Sequence, residues 1–124
     1  MNREITVGVV QHANTGDYVV DIATSVQGIR RAATQGANLI MLQELHAGLY
    51  FCQVEDTDNF DLAETIPGPS TDTFGDLAAE LGVVIVCSLF EKRATGLYHN
   101  TAVVLETDGS IAGCYRKMHI PDDP

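Results

Sequence analysis

The stretch that decides the fold is Asn38-Leu39-Ile40-Met41-Leu42-Gln43-Glu44, a short apolar run that ends in two polar residues. A continuous apolar run of this length, with polar flanks, is typical of a parallel strand that is buried on both faces. Side chains just beyond the carboxyl end of such a strand lie where α/β proteins bind ligands. The stretch therefore predicts a buried strand over 38–42 with Glu44 at the edge of a binding crevice.

The residues before this stretch complete a βαβ unit. Residues 5–11 are short, rich in β-branched side chains and bounded by polar residues, which predicts a strand. Asp17 suits a helix N-cap, and Gly36 suits the C-terminal end of the same helix. Apolar residues between them recur at spacings of three and four: Val19, Ile22, Val26, Ile29 and Ala33. Strand, helix and strand at this spacing predict a parallel pair of strands.

The residues after the stretch predict a long loop, a second helix and a second buried strand. Residues 51–69 are irregular and acidic and end in Pro-Gly-Pro, which indicates a loop. Ser70 is placed to cap a helix that Gly82 ends. The apolar run 83–90 then predicts another buried strand.

The last part of the chain predicts an antiparallel hairpin. Residues 98–105 and 111–116 are strand-like and meet at Asp108-Gly109, a strong hairpin turn signal. The expected class is therefore α/β, with a mixed sheet that begins parallel and turns antiparallel. Residues 118–124 are predicted as loop, and an ending in mid-loop favours a truncated chain.

Composition excludes several classes of function. Seven basic against seventeen acidic residues give a net charge of −10, which argues against nucleic-acid binding. No apolar run approaches the roughly 20 residues of a membrane span, and the first residues do not resemble a secretory signal. We therefore expect no membrane partner and a cytoplasmic location. Three widely spaced cysteines and scattered histidines match no metal pattern, so no metal or cofactor is implied.

Glu44 and Lys117 are the candidates for chemistry. A partly desolvated carboxylate at a strand end can have a raised pKa and act as a general base. Lys117 follows the predicted strand 111–116, where its cation could stabilise a developing oxyanion. Position alone favours an ordinary solvated side chain over a catalytic one for both residues.

Two short motifs and several longer stretches resemble the nitrilase superfamily of carbon–nitrogen hydrolases. The short motifs are Gln43-Glu44-Leu45 and Tyr115-Arg116-Lys117, each of which follows or ends a strand. The longer stretches are similar to the N-carbamoylputrescine amidase branch and comprise residues 49–53, 60–64, 66–71, 96–102 and 117–124.

The resemblance implies a fold and a set of site residues. The fold would be the N-terminal part of an α-β-β-α sandwich, a mixed sheet with helices on one face. Glu44 would be the general base, and Lys117 would stabilise the tetrahedral intermediate. Tyr50, Asn100 and His119 would line or support the pocket. Relatives carry their nucleophilic cysteine downstream of the lysine, so residues 1–124 would form an incomplete domain that is inactive alone.

The implied reaction is hydrolysis of N-carbamoylputrescine to putrescine, carbon dioxide and ammonia, without cofactor. The implied partner is a small ureido-amine substrate, and the full-length protein would be a homo-oligomer, at least a dimer. One alternative is an amidase of the same superfamily that acts on another ureido acid or amide. A second alternative is a non-catalytic interaction module that kept the sheet and lost the chemistry.

Overall fold

The computed structural model describes residues 3–49 and 56–120. The strands and helices alternate along the chain before a run of three consecutive strands. In chain order they are β1 (Val7–Val10), α1 (Tyr18–Thr34), β2 (Leu39–Leu42), α2 (Pro69–Leu81), β3 (Val84–Ala94), β4 (Leu97–Leu105) and β5 (Ile111–Arg116). A short 3₁₀ helix, Thr57–Leu62, lies between β2 and α2.

The five strands form one mixed sheet in the order β1-β2-β3-β4-β5. The first three strands are parallel, and β4 and β5 are antiparallel to their neighbours. The predicted α/β class and the change from parallel to antiparallel pairing are confirmed. Gly109 closes the predicted hairpin in the left-handed region, with a φ of 86°, which a glycine adopts at little cost.

Helix α1 begins at its predicted cap, and four of the five residues predicted to face the core do so. Ile29 is fully buried, and Ile22, Val26 and Ala33 pack against the core. The Asp17 carboxylate accepts hydrogen bonds from the N–H groups of Val19 and Val20. Val19 was predicted to face the core, and this is wrong because it is 74% exposed. The fully buried stripe consists of Asp21, Ser25 and Ile29, which follow one another every fourth residue. Two of these three are polar, so the apolar pattern could not reveal them.

Helix α2 begins two residues earlier than predicted, with Gly68 rather than Ser70 at the N-cap position. Pro69 opens it, as suits a residue without an N–H group at the first helical turn. Ser70 is therefore not the cap. Its N–H and its hydroxyl both donate to the carboxylate of Glu64 at 2.9 Å. Gly82 ends the helix with a φ of 64°, as predicted.

The core lies between the two helices and one face of the sheet. Its fully buried members include Ile40, Phe74, Ile85 and Val103. The prediction that the strand 38–42 is buried on both faces is wrong, because Met41 is 48% exposed. Both helices pack on the same side of the sheet, as the predicted helices on one face require. Neither helix covers the other side, where Phe60 of the 3₁₀ helix stacks on Phe90 and Tyr98 at one end.

We name that uncovered side the open face. The strand register places paired side chains along it from one edge of the sheet to the other. They include Val9, Met41, Val86, Val104, Ala102 and Tyr115. Among the described residues, no helix combines the length and the apolar character that crossing a membrane requires.

Candidate active site

Glu44, Asn100 and Lys117 meet at the end of β2, on the open face. Glu44 lies two residues past the last residue of β2, and Lys117 follows the last residue of β5. The Glu44 Oε1 atom accepts hydrogen bonds from Lys117 Nζ at 3.0 Å and from Asn100 Nδ2 at 2.8 Å. Three of the five residues singled out in the sequence are thus brought into direct contact.

The sheet itself sets this geometry. The Lys117 N–H donates to the carbonyl of Asn100 at 2.9 Å, which continues the β4–β5 pairing by one more bond. The turn that carries Glu44 is held by the Leu45 N–H, which donates to the Ser88 hydroxyl at 2.9 Å. A shallow cavity of about 170 Å³ is formed there by six residues: Glu44, Ser88, Asn100, Ala102, Tyr115 and Lys117.

The Glu44 carboxylate is both exposed and paired. Its side chain is 47% exposed, and that of Lys117 is 35% exposed. Hydrogen bonds from Lys117 and Asn100 outweigh the effect of burial, so the pKa of Glu44 lies below its ordinary value. The prediction of a desolvated carboxylate with a raised pKa is therefore wrong for this chain. An ion pair this exposed contributes little to stability, about 0–1 kcal/mol.

The other two predicted pocket residues are not brought to this cluster. Tyr50 lies outside the described residues. His119 is exposed, two residues past Lys117, and no hydrogen bond in the described part of the chain joins it to Glu44 or Asn100. Its predicted role in the pocket stays a prediction.

Neither described cysteine lies at Glu44. Cys87 is buried and alternates with Ser88, so its thiol points to the helices rather than to the open face. Burial, with a smaller effect of Glu64, raises the pKa of the Cys87 thiol, which opposes its use as a nucleophile. Cys114 is exposed, but it alternates with Tyr115 and lies on the opposite side of β5 from the cavity. Cys52 lies outside the described residues.

Sequence reasoning missed the residues that anchor the Glu44 turn to β1. The Gln43 side chain accepts from the His12 N–H at 2.7 Å and donates to the His12 carbonyl at 2.8 Å. The His12 ring bonds in turn to the hydroxyl of Ser25 on α1 at 2.9 Å. The one signal for this anchor was the place of Gln43 directly before Glu44.

An apolar cavity of about 430 Å³ lies next to the Glu44 turn. Leu45 and Phe90 form part of its wall, together with Leu49, Leu62 and Tyr18. Phe90 is two residues from Ser88 on β3, so the two cavities are neighbours along the same face of that strand. The arrangement places an apolar recess beside a polar site that has one acid, one amide and one cation.

Comparison with known proteins links the chain to one family of hydrolases. A family model described as carbon-nitrogen hydrolase matches residues 6–124. An N-carbamoylputrescine amidase of Solanum lycopersicum is 43% identical over 124 residues, which are 99% of this chain and 41% of that protein. A citrullinase of Francisella tularensis is 38% identical over 119 residues, which are 95% of this chain and 41% of that protein.

A solved structure agrees with these sequence matches. The crystal structure of a carbon-nitrogen hydrolase from Helicobacter pylori G27 superposes with a TM-score of 0.90 and 49% sequence identity. It covers 95% of this chain and 41% of the other chain. The chain therefore spans about two fifths of the length of the curated relatives it matches.

Proposed function

The chain belongs to the carbon-nitrogen hydrolase family, and from this we propose that it is the N-terminal part of an amidase that hydrolyses N-carbamoylputrescine. The products would be putrescine, carbon dioxide and ammonia, with one water consumed. In this proposal the remaining part of the domain supplies the nucleophilic cysteine and covers the open face. The 124 residues alone would then be inactive.

The observation that carries the proposal is the contact of Glu44 with both Lys117 and Asn100. An acid at the end of a parallel strand, with a cation 3.0 Å away, supplies a proton acceptor and an anion stabiliser in one place. Asn100, which donates to the same carboxylate oxygen, fixes the direction of the acid. No described residue donates to the second carboxylate oxygen, Oε2, and in this proposal that oxygen serves the reacting groups.

The proposed chemistry follows from these positions. A ureido carbonyl is a poor electrophile, so a thiolate that divides the reaction into two easier steps accelerates it. Glu44 takes the thiol proton, and the sulfur adds to the carbonyl carbon. Lys117 offsets the negative charge on the carbonyl oxygen while Glu44 returns the proton to the leaving amine. Glu44 then takes a proton from the water that adds to the carbonyl carbon of the thiocarbamate intermediate. The carbon–sulfur bond breaks, the proton passes to the sulfur, and the released carbamic acid decomposes to carbon dioxide and the second amine.

In this proposal, the remaining part of the domain also changes the pKa of Glu44. An exposed, paired carboxylate is a weak base. Covering the open face would remove water from Glu44 and oppose its charged form, which would raise its pKa towards the working range of a general base. We infer that the second part of the domain activates Glu44 as well as supplying the thiol.

The apolar recess beside the site suits the aliphatic part of a ureido-amine. Leu45, Leu62 and Phe90 offer a wall for methylene groups. A second candidate substrate class is ureido amino acids, because one relative of this chain is named a citrullinase. Both classes present the same ureido carbonyl to Glu44 and Lys117 and differ at the distal end.

The test is turnover by the full-length protein from which the chain derives. N-carbamoylputrescine, citrulline and a β-ureido acid would be compared by the ammonia they release. Glu44→Gln is expected to lower kcat by about 10²–10⁴-fold, since it removes the general base. Lys117→Ala is expected to lower kcat by about 10²–10³-fold, since it removes the cation at the oxyanion.

Matched controls come from the same chain. Glu106→Gln and Lys92→Ala change the same residue types at exposed positions and should leave turnover near normal. Retention of near-normal turnover by folded Glu44→Gln would remove this residue from the mechanism. Faster release of ammonia from citrulline than from N-carbamoylputrescine would favour the second substrate class. No release from any ureido compound would favour a non-catalytic module.

Three further expectations accompany the proposal. The full-length protein is expected to be at least a dimer, to act in the cytoplasm, and to bind no nucleic acid, given the net charge of −10. Size-exclusion chromatography with light scattering checks the first of these.

A further inference from the structure

A second charged cluster lies on the helix-facing side of the sheet. The Glu91 carboxylate on β3 is 2% exposed and accepts hydrogen bonds from two other strands. Arg116 on β5 binds it through Nε at 2.8 Å and through a terminal nitrogen at 2.9 Å. The Thr101 hydroxyl on β4 donates to it at 2.8 Å. Three consecutive strands are thus joined through one buried acid.

This cluster lies directly across the sheet from the candidate active site, on the opposite face. Thr101 follows Asn100 in β4, and Arg116 precedes Lys117. Adjacent residues of a strand point to opposite faces, so each member of the buried cluster on β4 and β5 shares a peptide bond with a member of the Glu44 site. Thr101 and Arg116 are also the last directly paired residues of β4 and β5.

We propose that the ion pair of buried Glu91 with partly exposed Arg116 holds Lys117 in position against Glu44 from the opposite side of the sheet. This inference rests on the role proposed above for Lys117. Neither Glu91 nor Arg116 contacts Glu44, so both would act through the backbone of Lys117 and Asn100.

The need for such a device follows from the place of Lys117 in the sheet. Within the described residues, β5 is an edge strand of the sheet, and Lys117 lies one residue past its end. The ends of edge strands open with little free energy, and beyond Arg116 the backbone is held to β4 by the bond from Lys117 N–H to Asn100 O. A bidentate side-chain pair at the last rung, anchored on β3 across β4, opposes that opening.

Glu91 is itself held firmly on its own strand. The Glu64 N–H donates to the Phe90 carbonyl at 2.9 Å, and the Lys92 N–H donates to the Glu64 carbonyl at 2.7 Å. These two bonds bracket the backbone of Glu91. Hydrogen bonds from Arg116 and Thr101 outweigh the effect of burial and keep the pKa of Glu91 below its ordinary value, so the acid is charged when it meets Arg116.

Stability alone accounts poorly for this arrangement. The Glu91 carboxylate is 2% exposed and has lost its water, whereas the Arg116 side chain is 37% exposed. An ion pair with one buried charge is weakly stabilising compared with apolar residues of similar volume, because removing that charge from water is costly. The pair also commits Arg116 to one orientation at the position directly before Lys117. Geometry is therefore the better reason for a buried acid at this place.

The first test uses the 124-residue chain and needs no turnover. The Glu44 carboxyl is titrated by ¹³C NMR in the parent chain, in Arg116→Lys and in Thr101→Val. Arg116→Lys keeps the charge and loses the bidentate contact. We expect the Glu44 titration to move towards the ordinary value in both variants, and the Lys117 amide to exchange with solvent at least about tenfold faster.

The matched control is the exposed, doubly bonded pair of Arg30 with Glu80, which joins α1 to α2. Arg30→Lys makes the same chemical change away from the site and should leave the Glu44 titration unchanged. An unchanged Glu44 titration in folded Arg116→Lys would overturn the inference. Thr101→Val, which leaves Arg116 in place, supplies a second folded variant if Arg116→Lys does not fold.

The second test uses the full-length protein. Arg116→Lys is expected to lower kcat by roughly 10–100-fold with KM changed less than about threefold, because misplacement of a catalytic group acts on the chemical step. A rise in KM with kcat unchanged would contradict a role in positioning Lys117. Because the titration is independent of turnover, failure of the proposed reaction and failure of this inference give different results.

Discussion

Replacing His46 with phenylalanine should remove most of the acid sensitivity of the folded chain between about pH 8 and about pH 5. His46 lies two residues past Glu44 and is fully buried. Its ring packs in a T-shaped arrangement with that of Phe74, with the ring centroids 5.1 Å apart, and neither ring nitrogen has a hydrogen-bond partner among the described residues. Burial, with a smaller effect of His12, lowers the pKa of His46 to about 4.

The size of the effect follows from that pKa. As the pH falls through 6.5, the unfolded chain takes up a proton at position 46, whereas the folded chain does not until about 4. Protonation therefore lowers the free energy of the unfolded state but not that of the folded state, so the free energy of unfolding decreases. The linkage relation gives a loss of about 2 kcal/mol on going from about pH 8 to about pH 5.

This pH window isolates the histidine from the buried acids. Asp21 and Glu91 also have lowered pKa values: burial opposes their charged forms, but hydrogen bonds from Thr15 to Asp21 and from Arg116 to Glu91 outweigh it. Their contribution to stability is present above the ordinary carboxyl pKa of about 4 and is lost below it. Above about pH 5 their contribution therefore changes little.

The assay is urea unfolding followed by circular dichroism of the helices, since the chain contains no tryptophan. The free energy of unfolding is extrapolated at each pH for the parent chain, for His46→Phe and for His119→Gln. His119 is exposed, so His119→Gln should keep the slope of the parent chain. If His46→Phe loses as much stability as the parent chain over this window, burial of His46 does not cause the acid sensitivity.

Three further predictions concern the two faces of the sheet, one close backbone contact and the thiols. Ile40→Ala should lower the free energy of unfolding in urea by about 2–5 kcal/mol, and the neighbouring Met41→Ala should lower it by only about 1 kcal/mol. The difference is expected because Ile40 is fully buried and Met41 faces the open side. Equal decreases would mean that the open face is covered in solution. Gly75→Ala should lower the free energy of unfolding by about 1–3 kcal/mol, because the new Cβ would lie 2.7 Å from the Gly109 carbonyl oxygen. In the control Gly113→Ala the new Cβ meets nothing within 4 Å, so stability should be nearly unchanged. Similar thermal midpoints for the two variants would count against the contact between Gly75 and Gly109. In a Cys52→Ser background, Cys114 should react with a thiol reagent in the folded chain and buried Cys87 only after unfolding; rapid modification of both thiols in the folded chain would contradict the burial of Cys87.

Most elements of the fold could be predicted from local patterns. The turn at Asp108-Gly109 and the caps at Asp17 and Gly82 are formed by a few consecutive residues, and the parallel pairing follows from the order of strand, helix and strand. Two of the predictions that failed concern burial. Val19 and Met41 fit the local apolar pattern, yet both are exposed, because burial depends on which elements pack over a residue.

The candidate site was likewise only partly predictable from the sequence. The motifs placed Glu44 and Lys117 at strand ends, and this needed only strand order. Their contact joins residues 73 positions apart, and it exists because β3 and β4 set the register of β5. The lowered pKa of Glu44 and the pairing of buried Glu91 with Arg116 also depend on that register, which no local pattern records.

By itself, the sequence determined the type and order of the elements and the two charged residues that end the strands, because these depend on propensities and spacings within a few residues. The tertiary structure alone decided which side of the sheet is covered and which side chains meet across it. Burial and charge pairing arise from groups that are distant in the chain, so their free energies exist only once the strands have come together.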